Sequence, residues 1–310
     1  MNKQISVLSE FQESVDLTHH LLKIRRDMSL ITPFDPWKGN LCTCPTKYSL
    51  SAYTGCTHGC LYCYASSYIR RFSQPREKKD FLKRLEKEIK KVPKGSLIAM
   101  ANSSDPYLSL EQELKLTREA LKVMKEYDLS LNIVTKSSLL LRDLDILKSF
   151  KKIVVSISLT TLNKELARKL EPYSPSPQER LRTVKELSSY LPVAVRFDPL
   201  IYPLNTEEIE GTIREIKISG ARQVITSTYK MKPDNFKRMV AAFPGYKELW
   251  QKLYLKQGEK IGGYAYLPKT LRKDLINKVR EIALSEGLEF SSCREGFGNL
   301  NTTNCDGSAL

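Results

Sequence analysis

The chain is poor in acidic residues, histidine and tryptophan, and it has no long apolar run. Its 310 residues carry 35 Asp plus Glu against 50 Lys plus Arg, a formal charge of +15, with 3 His and 2 Trp. The acidic deficit makes a polyanion such as DNA, RNA or a phosphorylated ligand a natural partner, although Lys- and Glu-rich surfaces also mark proteins from hot environments. No stretch reaches the roughly 18 apolar residues of a membrane-spanning helix, and the polar start Met1-Asn-Lys-Gln-Ile-Ser lacks the apolar core of a signal peptide. A cytoplasmic protein with no membrane partner is the expectation. Seven cysteines are an odd number, which argues against full pairing, and in a reducing compartment they point to metal or redox chemistry. The tandem His19-His20 has no companion clip for a metal. Internal repeats and low-complexity tracts are absent, and a hydrophobic content of 41% is enough for a sizeable core, as one large α/β domain or two small ones.

What is present centres on Tyr53-Thr-Gly-Cys56-Thr-His-Gly-Cys60-Leu-Tyr-Cys63-Tyr64, a C-x3-C-x2-C spacing at the exit of a short predicted strand. Cubane iron–sulfur clusters are usually held by four cysteines, so three close thiolates can hold three irons and leave the fourth open to a small molecule. Gly55 and Gly59 allow positive φ and a tight wrap around a bulky core. A zinc knuckle is the alternative, but its second clip would have to come from far away. His58, inside the loop, reads as a tuning residue or as a surface histidine.

From Lys47 onward short apolar runs alternate with longer amphipathic ones. Strands are predicted at 48–53, 96–101, 129–135, 153–159, 193–197 and 223–227, and helices at 74–91, 110–127, 139–149, 178–191 and 206–218. An N-terminal helix is expected over 16–28, followed by a proline-punctuated connector at 32–37. Alternation of this kind implies a parallel sheet with right-handed crossovers and ligands at the carboxyl ends of the strands. The cysteine loop, Asn102-Ser-Ser-Asp105, Lys136 and Asp198 all follow predicted strand ends, a shared address that favours one site.

C-x3-C-x2-C with an aromatic before the last cysteine resembles the signature of radical S-adenosylmethionine (SAM) enzymes. Asn132-Ile-Val-Thr-Lys136-Ser, Val155-Ser156-Ile-Ser158-Leu-Thr-Thr and Asp198-Pro199-Leu look like the branch related to spore photoproduct lyase, from about Tyr48 to Tyr229. The resemblance implies an α/β fold, a partial (β/α)6 barrel, over residues 47–230. An N-terminal extension (1–46) and a C-terminal extension (231–310) would flank it. It also implies a [4Fe-4S] cluster on Cys56, Cys60 and Cys63, SAM at the open iron, hydrogen abstraction by the radical SAM yields, and an external electron donor such as ferredoxin or flavodoxin. In the family the aromatic at Tyr62 packs against adenine, and Ser103 and Ser158 fall where related lyases bond SAM. Lys136 would meet the SAM carboxylate, or stand on the surface. Glu171 would meet the ribose or amino group, or face solvent at a helix end. Tyr107 and Arg196 border the expected cavity.

Two departures matter. The usual Gly-Gly-Glu element after the second strand is replaced by Asn102-Ser103-Ser104-Asp105, and the hydrogen-donating cysteine of the lyase aligns with Asn102. Tyr62 and Tyr64 do match positions that relay hydrogen in that lyase. Cys42, Cys44, Cys293 and Cys305 remain: a second four-cysteine site holding an auxiliary iron–sulfur cluster or zinc, buried small hydrophobes, or, for Cys293 or Cys305, the missing hydrogen donor. The helix rich in Lys83, Arg84, Lys87 and Lys91 is mainly a solvated face with a phosphate-tracking option. The resulting expectation is a radical SAM enzyme acting on a nucleic acid base. A peptide-modifying enzyme and a non-catalytic, metal-stabilised nucleic-acid-binding protein are the alternatives.

Overall fold

The computed structural model describes residues 30–34, 41–100 and 103–310; the helix expected over 16–28, the His19-His20 pair, the second half of the connector and Asn102 lie outside these residues. One sheet organises the chain: β1 (Thr32–Pro33), β2 (Tyr48–Leu50), β3 (Leu97–Met100), β4 (Ser130–Thr135), β5 (Lys152–Leu159), β6 (Val193–Leu200), β7 (Gln223–Thr228) and β8 (Glu289–Ser292), ordered in space as in sequence. β1 runs antiparallel to β2, and every neighbouring pair from β2 to β8 is parallel. The six predicted strands are therefore joined by β8, so the sheet runs beyond residue 230. Helices on its outer face include α1 (Phe81–Glu88), α2 (Leu116–Met124), α3 (Pro177–Ser188), α4 (Ile209–Ile218), α5 (Pro233–Ala242) and α6 (Lys269–Ser285). The result is a partial α/β barrel.

β5 shows why the sheet has two different faces. Side chains alternate across a strand, and Ile153, Val155 and Ile157 enter the main core beneath the helices. Val154 faces the other way, in a small apolar cluster with Ala194 and Ile225 that the half-buried Cys293 and Leu310 pack against. Ser158, of the same parity, reaches the cavity at the strand ends. Ser291 and Gln223 are also buried, Gln223 Nε2 donating to Ser291 Oγ at 2.7 Å and to the carbonyl of Asn304 at 2.9 Å.

Three helices differ from the sequence expectation; the one predicted over 139–149 is a 3-10 segment, Ser138–Asp143, followed by a short α-turn, Leu144–Leu147. The helix predicted from 74 begins at Phe81, because Arg76–Glu77 instead pairs antiparallel with Tyr53–Thr54 and Asp80 takes a left-handed turn at φ 52°. Its apolar stripe is as expected, with Phe81, Leu85 and Ile89 buried while Lys83, Lys87 and Lys91 are exposed. The helix predicted over 110–127 breaks at Lys115, also at φ 52°. The break lets the fully buried Glu111 accept from the backbone N–H groups of Thr117 (2.8 Å) and Arg118 (3.2 Å), satisfying open donors at the start of α2. Glu111 also accepts from Tyr53 Oη at 2.5 Å and Arg142 Nη2 at 2.6 Å. Tyr53 leads directly into the cysteine loop, so this carboxylate anchors the loop's entrance.

Glu111→Ala should lower unfolding stability by about 3 kcal/mol, the usual cost of removing one member of a buried ionic network. A urea midpoint equal to that of the wild type would contradict this role for Glu111.

Candidate active site

The cysteine loop is compact because two glycines permit it. Gly55 sits at φ +89°, where a Cβ would lie 2.6 Å from the Phe72 carbonyl oxygen; Gly59 sits at φ +65°, where a Cβ would lie 2.8 Å from Cδ2 of Tyr173. Backbone bonds from Cys56 N to Phe72 O (2.8 Å) and from Leu61 N to Leu170 O (2.9 Å) fix its two ends. Cys56, Cys60 and Cys63 consequently line one cavity of about 230 Å3 at the carboxyl ends of the parallel strands, the address the strand-end motifs predicted. All three are free thiols. Burial pushes Cys60 up to about 12 and Cys56 up to about 11, and raises Cys63 as well. Such thiols are protonated without a metal and release protons on binding one. Among the described residues no three His, Cys, Asp or Glu are spaced around a single metal ion. Three free thiols on one cavity wall offer the ligand chemistry of an iron–sulfur cluster with one iron left open.

His58 is buried, contrary to its reading as a surface histidine. Its Nε2 lies 2.9 Å from Asp105 Oδ2, which also accepts from the N–H of Lys136 at 2.9 Å; Asp105 Oδ1 accepts from Thr135 Oγ1 at 2.6 Å and Tyr107 N at 2.9 Å. Burial alone would raise the Asp105 carboxyl, but the His58 ring and these hydrogen bonds outweigh it and hold it at about 2. Asp105 thus fastens the cysteine loop to the end of β4. The sequence offered His58 within the loop and an aspartate after a strand, but nothing that paired them.

Glu171 is buried as well, rather than solvated at a helix end. It meets Arg180 Nη2 at 2.5 Å and Lys136 Nζ at 3.8 Å, and accepts from Thr160 Oγ1 at 2.8 Å and from the Tyr62 hydroxyl. Desolvation opposes its charge, yet Arg180 and then Lys136 hold the carboxyl down at about 2. Lys136 lines the cavity, with Nζ 5.9 Å from the centroid of the Tyr62 ring. Arg180 and Thr160 escaped the sequence reading. The proline-led start of α3 was the available hint for Arg180, because it sets the turn from which that side chain reaches back to the Ser158 carbonyl (3.1 Å).

The remaining expected residues divide. Tyr62, Tyr64, Ser103, Ser158, Arg196 and Cys293 line the same cavity, whereas Glu171 stands behind Tyr62 and Lys136. Tyr107, expected at the cavity, instead packs in the hydrophobic core. Ser103 Oγ is 3.4 Å from Tyr68 Oη, and Tyr64 packs edge-on against Tyr264 at 5.4 Å. Arg196 donates to Asp198 Oδ2 at 2.9 Å, and Ser227 donates to Asp198 Oδ1 at 2.5 Å. Lys230, a wall residue not anticipated, pairs with the buried Glu295 at 3.2 Å. Cys305 lies off the cavity, its Sγ 3.5 Å from that of Cys44.

The family model described as the radical SAM superfamily matches residues 50–216. An uncharacterized protein of Methanocaldococcus jannaschii is 37% identical over 147 residues, covering 46% of this chain and 55% of that protein. An uncharacterized protein of Acidianus two-tailed virus is 29% identical over 199 residues, covering 57% and 65%. The chain thus spans between about half and two thirds of the length of these relatives. Among solved structures, spore photoproduct lyase with bound AdoMet and a dinucleoside spore photoproduct superposes with a TM-score of 0.62 at 17% identity, over 78% of this chain and 75% of that one. SuiB of Streptococcus suis bound to S-adenosylmethionine gives 0.53 at 14%, over 91% and 55%. These structural likenesses concern the fold.

Asp105→Asn should remove about 2 kcal/mol of stability at neutral pH, the linkage value of its depressed pKa. The folded pKa lies below the unfolded one, so this contribution is full above about pH 4 and fades as the pH falls toward 2. Denaturation curves of the two proteins should converge on acidification; a constant gap would contradict the assignment.

Proposed function

The chain belongs to the radical SAM superfamily, and from that premise we propose that it is an enzyme holding a [4Fe-4S] cluster on Cys56, Cys60 and Cys63. It would bind SAM at the iron these three leave open and remove a hydrogen atom from a nucleic acid base. One observation carries this reading: the three thiols, Lys136 and Ser158 line a single cavity at the carboxyl ends of the parallel strands. Bound there, the cluster and SAM supply one-electron cleavage of a carbon–sulfur bond and hydrogen-atom abstraction, with ferredoxin or flavodoxin as the electron source.

The chain's own residues bind, orient and screen. Lys136 is a cation at the cavity wall whose acidic partner, Glu171, is shared with Arg180, so its ammonium can turn to a ligand carboxylate without stranding a buried charge. The bonds from Tyr62 to Glu171 and Thr160 set its ring as one wall, and Ser103 and Ser158 offer hydroxyls to a polar ligand. Tyr62 and Tyr64, flanking the last cysteine, are placed in sequence to relay hydrogen, and both line the cavity.

The nucleic acid substrate is favoured by charge near the mouth. Arg70, Arg71 and Arg76 are exposed on the segment that leaves the cysteine loop, and Phe72 within that segment lines the cavity. Three cations beside an opening, on a chain of net charge +15, suit a phosphate backbone.

Anaerobic reconstituted protein, reduced in the presence of SAM and single-stranded DNA, should form 5′-deoxyadenosine. Lys136→Ala should slow its formation about tenfold or more, the equivalent of one charge-assisted hydrogen bond. Formation with peptides alone would transfer the reading to peptide modification, and no formation with any substrate would leave a metal-stabilised binding protein. Alanine at Arg70, Arg71 and Arg76 together should reduce the slope of log affinity for single strands against log salt by about 2; an unchanged slope would remove these residues from the interface. Residue 102 is asparagine and has no thiol hydrogen to return, so dithymine spore photoproduct should remain uncleaved. Its turnover at an enzymatic rate would refute that.

A further inference from the structure

Cys42 and Cys44 near one end of the chain approach Cys305 at the other, and Cys293 on the cavity wall stands near them. Cys44 Sγ is 3.5 Å from Cys305 Sγ, and Cys42, two residues earlier, is close enough to act on the Cys44 thiol. Cys293 stands close enough to act electrostatically on Cys44, Cys305 and Arg196. All four are free. The segments that carry them are locked together by contacts outside the thiols. The Leu41 and Thr43 side chains rest against Gly296 and Gly298, where an added Cβ would lie 2.9 Å and 2.6 Å away. Lys47 and Asp306 form a buried ion pair, Asn132 donates to the Asp306 carbonyl, and Cys293 N bonds Thr226 O at 2.8 Å.

We infer that Cys42, Cys44, Cys293 and Cys305 form a second thiolate metal centre, closed between the two ends of the chain and opening through Cys293 onto the floor of the cavity. A disulfide between Cys44 and Cys305 would use two of the four sulfurs and leave Cys42 and Cys293 beside it unexplained; a metal centre engages all four. Lys47 and Arg196 supply two cations next to thiolates that would otherwise concentrate negative charge. As with the loop cysteines, the sulfurs are not already spaced around one ion. Four thiolates are the ligand chemistry of both iron–sulfur clusters and structural zinc, and metal analysis separates the two. The inference stands apart from the reading of the first cluster, because the two centres share no ligand.

The test is metal and acid-labile sulfide per full-length chain, purified anaerobically, in the wild type, in Cys56→Ala/Cys60→Ala/Cys63→Ala and in Cys42→Ser/Cys305→Ser. The triple variant should retain either iron with sulfide, identifying a cluster, or zinc. The double variant should lose that fraction and keep the iron of the first centre. A triple variant empty of metal, or a double variant with the wild-type content, would overturn the inference. Should the double variant fail to fold by circular dichroism, the wild type decides by native alkylation of the half-buried Cys42 and Cys44. They should be protected until a chelator strips the metal. Labelling without chelator, or recovery of a Cys44–Cys305 disulfide, would overturn it equally.

Discussion

The buried carboxylate of Glu171 is the constraint on which the mouth of the barrel depends. It is one anion between two cations, Arg180 and Lys136, and it also accepts from Tyr62 and Thr160. Those partners come from four separate places: the cysteine loop, the turn after β4, the segment after β5 and the start of α3. A buried charge of this kind is tolerated only when its partners are held in place, so the arrangement ties the cysteine loop to the strand ends. Asp105 repeats the device on the other side of the loop, through His58 and the end of β4.

Buried carboxylates also explain how a basic chain keeps a polar cavity ordered. Lys136, Arg196 and Lys230 all face the cavity, and each has an acidic partner in Glu171, Asp198 or Glu295. Arg294, also on the cavity wall, lies over the Tyr64 and Tyr264 rings, and further positive charge stands exposed at Arg70, Arg71 and Arg76. Cations held by carboxylates or rings within the cavity suit a polar ligand there.

Much of this was legible in the sequence because it is encoded locally. The spacing of Cys56, Cys60 and Cys63, the need for Gly55 and Gly59, and the alternation of apolar strands with amphipathic helices each lie within a short window. The common address of Lys136, Asp198 and the cysteine loop followed from the rule for parallel sheets. What escaped is long-range. Glu171 and His58 look like surface residues because their partners, Arg180 and Asp105, are made neighbours only by the fold. The helix expected from residue 74 starts late because Arg76–Glu77 pairs with Tyr53–Thr54, a tertiary contact that overrides local periodicity. β8 joins the sheet only by parallel pairing with β7 across about sixty intervening residues.

The central claim is that Cys56, Cys60 and Cys63 hold a cluster with one iron open to SAM. Electron paramagnetic resonance of the anaerobically reconstituted, reduced protein, recorded with and without SAM, tests it most directly. A signal component that SAM perturbs, and that disappears from the Cys56→Ala/Cys60→Ala/Cys63→Ala variant, is the predicted result, whatever SAM-insensitive signal a second centre adds. Absence of any SAM-perturbed component, or survival of that component in the variant, would contradict it.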